Sequence, residues 1–219
     1  MKQESTLIEL HYFPSIQYMS KFFASSNVVL EQQENYRKGS YRNRMHIASA
    51  NGLLRLSIPL IKGKNEKQGI REVRISYEEP WQNKHWTAIQ SAYGNSPYFD
   101  DYSPIFHRFF KEKKTYLFDL NLAILTELLE LLDINPSIQF TETYAKDTIN
   151  GLIDWRQCIS PKPNKSCADS AYKTVPYPQV FMEKTGFLPN LSILDLIFCQ
   201  GPETVFTLQR SVIDRYLST

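Results

Sequence analysis

The strand–helix–strand order near the start of the chain constrains the fold more than any other feature. TLIEL (6–10) and NVVLEQ (27–32) are short apolar runs typical of strands. Between them, Pro14 ends the first strand and Ser15 can cap a helix. The apolar residues that follow share one helical face: Ile16, Met19, Phe22 and Phe23. This order predicts a parallel βαβ unit, the building block of α/β folds.

The rest of the chain adds a hairpin, several helices and a long loop. Asn51-Gly52 is a strong hairpin signal between RMHIASA and LLRLSIPL. Further strands are predicted over 70–77 and 137–144. Helices are predicted over 80–94, 103–112, 117–132 and 191–200. A flexible charged loop is expected over 63–69, and the proline-rich residues 159–178 predict a long loop or a lid.

These elements predict an α/β fold with a Rossmann-like βαβ N-terminal half and a mixed sheet, a helical middle and a C-terminal helix. The length, 219 residues, suits one large domain. We expect a single domain over 1–219. It would be strand-rich over 1–78 and helical over 79–135, with a strand, a long loop and the C-terminal helix over 136–219.

Charge and composition exclude several partners. The formal net charge of +2 gives no reason to expect nucleic acid, and no run approaches the ~20 apolar residues of a membrane span. The apolar run at the N-terminus is too short for a signal peptide, so we expect a cytoplasmic protein. Cys158, Cys167 and Cys199 fit neither a CxxC pair nor a zinc site and are expected to be thiols. No metal site is predicted, and no cofactor is indicated.

The basic segment YRKGSYRNRMHI (36–47) is the strongest candidate for a binding site. Arg37, Lys38, Arg42 and Arg44 offer charge and forked donors for a carboxylate or phosphate. In an extended strand, Arg42 and Arg44 would point to one face and Asn43 to the other.

Two interpretations of this segment remain open. Its arginines could be solvated or paired with a carboxylate such as Glu31 or Glu34. They could instead form an anion-binding wall at the end of the sheet, where ligands gather in α/β folds.

His85, in PWQNKHW, is the best candidate for proton transfer, because a histidine titrates near neutral pH. It also shares a helical face with Trp81 and Ile89, so a packed core histidine is equally consistent with the pattern.

Asp195 lies on an otherwise apolar helix and needs a partner there, which an arginine of the basic segment could provide. Tyr12 and Tyr98 could stack on a sugar or a base, or serve as core.

Five segments in order resemble the WbqC-like family. They are YFPSIQYMSKFFASSNVVLEQ, YRKGSYRNRMHI with its Asn43-Arg44 pair, LLRLSIPL, IREVRISYEEPWQNKHWTAIQSAYGNSPYF and NLSILDLIFCQGPE. Many members have His-Gln-Pro where this chain has Ile8, Glu9 and Leu10, and that departure weakens any enzymatic inference from the first loop.

The resemblance implies a bacterial cytoplasmic protein associated with surface-polysaccharide biosynthesis, with acyl or aminoacyl transfer to a sugar as the activity. In that hypothesis, Lys38, Arg42 and Arg44 hold an anionic small molecule such as a nucleotide sugar or an activated acid. His85 would be the general base, and Asn43 and Tyr12 would orient the acceptor. The alternative is a non-catalytic binding or assembly protein that uses its tyrosines and the 159–178 segment as an interface. A nucleotidylyltransferase-like use of the βαβ unit is disfavoured, because no histidine stands at 15–18.

Overall fold

The computed structural model describes residues 4–61, 67–144 and 151–213. Its strands are β1 Glu4–Glu9, β2 Ser25–Glu31, β3 Arg44–Ser49, β4 Gly52–Ser57, β5 Ser137–Phe140 and β6 Ile153–Asp154. Its helices are α1 Ile16–Ala24, α2 Trp81–Tyr93, α3 Phe99–Lys111, α4 Leu117–Leu131, α5 Met182–Thr185, α6 Ile193–Gln200 and α7 Thr204–Ser211. The α/β class predicted from the sequence is confirmed.

A parallel four-stranded sheet, in the order β5-β2-β1-β6, forms the centre of the molecule. The βαβ prediction is confirmed, because β1 and β2 pair in parallel and α1 connects them. Helix α1 begins after Ser15, whose hydroxyl accepts a hydrogen bond from the Tyr18 amide. Leu7 and Ile8 are fully buried, as are Val28 and Leu30. Such continuous apolar runs are typical of parallel strands that are covered on both faces.

The predicted hairpin is confirmed as a separate antiparallel pair of β3 and β4. Gly52 follows the turn with a φ of +94°, a backbone conformation that residues other than glycine rarely adopt. Helices α2, α4 and α6 also lie close to their predicted ranges.

Three predictions of local structure are wrong. Residues 70–77 are not a strand, because a 3₁₀ turn spans Ile70–Glu72 and isolated bridges then reach Leu60 and Tyr116. Helix α3 begins at Phe99 rather than at 103, and Pro104 lies inside it, since packing of the buried Phe99 and the later phenylalanines outweighs the cost of the proline. The strand predicted over 137–144 ends early, because β5 spans only Ser137–Phe140.

The long loop predicted over 159–178 is confirmed, with a short 3₁₀ turn at Pro163–Lys165.

The expectation of three thiols is wrong, because Cys158 and Cys167 form a disulfide. A turn brings them together, and the Cys167 amide donates to the Cys158 carbonyl. Cys199 is a half-buried free thiol.

The charged loop predicted over 63–69 lies largely outside the described residues. No helix in the described ranges is both long and apolar enough to cross a membrane.

Candidate functional site

Three of the four parallel strands end in an acidic side chain and a threonine directly follows the fourth, and these side chains meet at one edge of the sheet. Glu9 ends β1, Glu31 ends β2, Asp154 ends β6 and Thr141 follows β5. Carboxyl ends of parallel strands are where α/β proteins bind ligands. Four further residues join this group, which we call the strand-end cluster: His11, Glu34, Arg42 and Arg156.

Arg42 is the most deeply buried cation of the strand-end cluster, with 1% of its surface exposed. Its Nε and Nη2 donate to the two carboxylate oxygens of Glu34 at 2.7 and 2.5 Å. Nη2 also lies 3.2 Å from Glu9 Oε1. One guanidinium is therefore shared between two carboxyl groups, in the bidentate geometry that arginine favours.

The side chain of Arg42 turns inward because its backbone is not extended. Residues Tyr41–Asn43 form a 3₁₀ turn that Ser40 caps. The Asn121 side chain of α4 donates to the Arg42 carbonyl, and the Tyr12 amide donates to the Tyr41 carbonyl. The strand alternation expected for Arg42 to Arg44 is therefore wrong, since strand geometry begins only at Arg44.

Arg156 forms the other half of the strand-end cluster. Its Nη1 donates to Glu31 Oε2 at 2.9 Å, and its Nε and Nη2 hold Asp154. The Thr141 hydroxyl donates to Glu31 Oε1 at 2.7 Å, so β5 contributes to the same network. Strands β2, β5 and β6 are therefore tied together through charged hydrogen bonds at this edge.

The acid groups of the strand-end cluster differ in their affinity for protons. Burial opposes the ionisation of Glu9, but Arg42 and a hydrogen bond from His11 lower its pKa to about 2. Burial raises the pKa of Glu34 to about 7, although Arg42 acts against this. Burial also lowers the pKa of His11, so its imidazole is neutral near neutral pH.

A cavity of about 580 Å³ opens beside the strand-end cluster. Its walls are Gln33, Glu34, Asn35, Tyr36, Arg37, Lys38, Tyr144, Gln157 and Lys165. Arg37, Lys38 and Lys165 give it three cations from two loops, and Tyr144 adds a partly exposed ring. Such a cavity is large enough for a small-molecule ligand and attracts anions.

The structure places the predicted residues of the basic segment in different surroundings. Lys38 lines the cavity, and Arg42 lies behind Glu34 in the cavity wall. Asn43 donates to the Ile58 carbonyl at 2.9 Å. Arg44 is half-buried on β3, its pKa is lowered by burial and by Arg55, and its Nε has no hydrogen-bond partner among the described residues.

Tyr12 and His85 are brought together away from that cavity, with Tyr12 Oη 3.1 Å from His85 Nδ1. The rings of Trp81 and Phe110 pack against His85, and burial lowers its pKa to about 4. This is the aromatic core environment that the helical pattern allowed as the alternative. The catalytic role of His85 stays a prediction.

Asp195 is fully buried and has neutral hydrogen-bond donors instead of the expected arginine. Tyr177 and Tyr93 donate their hydroxyls at 2.6 and 2.8 Å, and the Gln179 side chain lies 3.2 Å away. Tyr98 is half-buried and packs against Gly201, where an added Cβ would lie 2.5 Å from its ring. The substrate-binding roles predicted for Asp195 and Tyr98 stay untested.

Several members of the strand-end cluster were missed as site residues. From the sequence, Glu31 and Glu34 are expected only as partners for an arginine, and Arg156 is not expected at the site. A usable signal is present, because an acidic residue directly ends the buried strands β1 and β2, at Glu9 and Glu31, and another ends the short strand β6, at Asp154. Within the described ranges, no group of three or more His, Cys, Asp or Glu residues is arranged to hold a metal ion.

Comparison with known proteins places the chain in a family. It matches the model of the WbqC-like protein family over residues 10–160, more than half of its length. It is also similar to the uncharacterized protein Rv1507c of Mycobacterium tuberculosis (strain ATCC 25618 / H37Rv), with 24% identity over 223 residues that cover 90% of this chain and 94% of that protein. No solved structure matches the chain significantly.

Proposed function

The chain belongs to the WbqC-like protein family, and we propose that it is a transferase acting on a sugar nucleotide or an activated acid. The reaction class we propose is acyl or aminoacyl transfer to a sugar, in the biosynthesis of surface polysaccharide. The supporting observation is the cavity at the carboxyl end of the parallel sheet, whose wall contains three cations and the carboxyl group of Glu34. The cations suit a phosphate or carboxylate, and the carboxyl group suits proton transfer.

The cationic side chains at the cavity differ in exposure, and this separates those that can bind a ligand from the one that stabilises the fold. Arg37, Lys38 and Lys165 are exposed, so they can contact a ligand. Arg42 is buried and bound to two carboxylates, which suits a role in positioning Glu34. In this proposal Lys38 keeps the anion-binding role expected from the sequence.

Ligand binding tests this proposal directly. A thermal-shift panel of nucleotide sugars, aminoacyl donors and coenzyme A should contain a ligand that raises the melting temperature. Lys38→Ala and Lys165→Ala should each weaken the binding of that ligand by about fivefold, equivalent to about 1 kcal/mol. Lys84→Ala is the matched control, because Lys84 is an exposed lysine on α2 paired with Glu79. Equal affinity for all three variants, or a panel without any binder, would contradict the proposal.

The alternative is a non-catalytic binding protein. It would bind its ligand in the same cavity but would not convert it to a product. The exposed ring of Tyr144 in the cavity wall would suit a macromolecular partner. A ligand that binds the cavity and is recovered unchanged after incubation with acceptor sugars would favour this alternative. A new covalent product detected by mass spectrometry would favour the transferase.

A further inference from the structure

Glu34 belongs both to the buried strand-end cluster and to the wall of the cavity. Its side chain is 4% exposed, yet it lines the space that Arg37, Lys38 and Lys165 surround. The loop after β2 fixes its position, since the Ile70 amide donates to the Glu34 carbonyl at 2.9 Å. Arg42 holds the carboxylate in two hydrogen bonds. A carboxyl group that is held rigidly beside a ligand-sized space satisfies the geometric requirement for an acid–base residue.

The charges of the strand-end cluster do not balance. Its carboxyl groups are Glu9, Glu31, Glu34 and Asp154, and its guanidinium groups are Arg42 and Arg156. His11 adds no charge when it is neutral. Among the described residues, full ionisation would leave two more carboxylates than guanidinium groups in this largely buried cluster, which is costly. A proton held by one of the four carboxyl groups removes part of that cost.

Glu34 receives fewer hydrogen bonds than the other three carboxyl groups among the described contacts, which favours it as the group that holds the proton. The Gln157 amide, His11 and Arg42 stabilise the carboxylate of Glu9. Glu31 receives hydrogen bonds from Thr141, from the Gln33 amide and from Arg156. Asp154 holds the guanidinium and the amide of Arg156. Glu34 has Arg42 as its partner and shares it with Glu9, and burial raises the pKa of Glu34 to about 7.

The groups that act on Glu34 come from several elements. On the buried side they are Arg42, Glu9 and Glu31, and Tyr18 is coupled to it more weakly. On the cavity side they are Arg37, Lys38, Lys165 and the phenol of Tyr36. The cations favour the carboxylate, whereas the neighbouring acids favour the protonated form.

We propose that Glu34 is the acid–base residue of this cavity and exchanges a proton with a bound acceptor, while Arg42 and Glu9 position it. The inference rests on the proposed transferase function and adds the group that activates the acceptor. The acceptor, meaning the group to which the acyl or aminoacyl group is transferred, is a hydroxyl or ammonium group of a ligand that carries phosphate. In the fraction of molecules in which Glu34 is ionised, its carboxylate accepts the proton: the bond between the proton and the acceptor oxygen or nitrogen breaks as an O–H bond forms on Glu34. The electron pair stays on the acceptor atom, which becomes the nucleophile.

The first experiment measures the titration of Glu34 without ligand. In protein labelled with ¹³C at the glutamate carboxyl carbon, NMR should show one resonance that titrates between about pH 6 and 8 and that is missing in Glu34→Gln. In Glu9→Gln the same resonance should titrate about one pH unit lower, because Arg42 then neutralises Glu34 alone. Glu9→Gln also identifies the resonance if Glu34→Gln does not fold. Titration of Glu34 below pH 5 would overturn the inference and leave the proposed function standing.

The second experiment measures protons taken up with a ligand. UDP-glucose is a suitable probe, because its pyrophosphate diester does not titrate near neutral pH. Calorimetry at pH 7.5 in two buffers with different ionisation enthalpies should show uptake of a fraction of a proton, since a bound anion favours protonated Glu34. Glu34→Gln should bind without uptake. Binding to the wild type without uptake would overturn the inference alone. Failure of UDP-glucose to bind at all would contradict both this inference and the proposed binding of a nucleotide sugar.

Discussion

Carboxyl groups are buried both in the strand-end cluster and around Asp195, and these two regions stabilise them in opposite ways. In the strand-end cluster, guanidinium groups hold Glu9, Glu31, Glu34 and Asp154 beside an open cavity. Around Asp195, two tyrosine hydroxyls and a glutamine amide donate to one carboxyl group among helices and a loop. The first region is charged and adjoins a cavity, whereas the second is held by neutral donors.

The difference shows how to distinguish a functional acid from a structural one. Asp195 joins α6 to α2 through Tyr93, whose hydroxyl in turn accepts from the Ala48 amide of β3. Its hydrogen bonds therefore hold three elements together. Glu34 has fewer partners, and it faces a space that can admit a ligand. Fixed geometry combined with an exchangeable proton is typical of catalytic acids.

The largest expected effect comes from removing the shared cation. Arg42→Ala leaves Glu9 and Glu34 buried without their guanidinium and should lower the free energy of unfolding by about 3–5 kcal/mol. Urea denaturation measures this change. Arg37→Ala is the matched control, because Arg37 is exposed at the cavity, and it should change stability by less than about 0.5 kcal/mol. Similar losses for both arginines would remove the distinction between buried and cavity-facing cations.

Lowering the pH should reduce the free energy of unfolding, because Glu9 of the strand-end cluster becomes protonated. Its pKa is lowered to about 2 from an ordinary value of 4.5, so its contribution is present above about pH 4.5 and is lost as pH falls toward 2. At about 1.36 kcal/mol for each pH unit, the full loss is about 3 kcal/mol. The unfolding free energy of Glu9→Gln should therefore fall less steeply with acid than that of the wild type. Parallel slopes in urea titrations from pH 6 to 3 would refute this.

The region around Asp195 should respond to pH with the opposite sign. Burial raises the pKa of Asp195, so the native state holds that proton more tightly than the unfolded state does. Its contribution to stability is full below its ordinary pKa and declines as pH rises. Asp195→Asn should cost about 1–3 kcal/mol, with a larger cost at pH 4 than at pH 7. Ligand binding at the cavity should be unchanged, and a weakened affinity would instead support a direct role for Asp195 in binding.

The smallest effect should come from the edge of the strand-end cluster. Thr141→Val removes the hydroxyl donor to Glu31 and the acceptor for the Gln32 amide, but Arg156 still holds Glu31. The expected loss is about 1 kcal/mol in chemical denaturation. Thr126→Val on α4 is the control, because that hydroxyl is exposed and bonds only within its own helix among the described contacts. A loss as large as that of Arg42→Ala would mean that β5 is essential to the whole network.

The sequence by itself determined the elements whose signals are local. The βαβ unit follows from two apolar runs and the cap at Ser15, and the hairpin follows from Asn51-Gly52. Such signals act over a few residues, because capping, turn geometry and helical periodicity involve near neighbours. The strand predicted at 70–77 failed because isolated contacts with Leu60 and Tyr116, rather than a ladder, fix its backbone.

Only the tertiary structure decided which charged groups meet. Arg156 lies 125 positions from Glu31, and Tyr93 lies 102 from Asp195, so no local pattern could pair them. The sequence allowed Arg42 to be solvated, to bind an anion or to pair with a carboxylate, and it named Glu31 and Glu34 as candidate partners. It could not show that Glu9 shares the same guanidinium or that a cavity opens beside Glu34. Those features depend on the parallel alignment of distant strands, which brings their carboxyl ends, and the charges they carry, to one edge of the sheet.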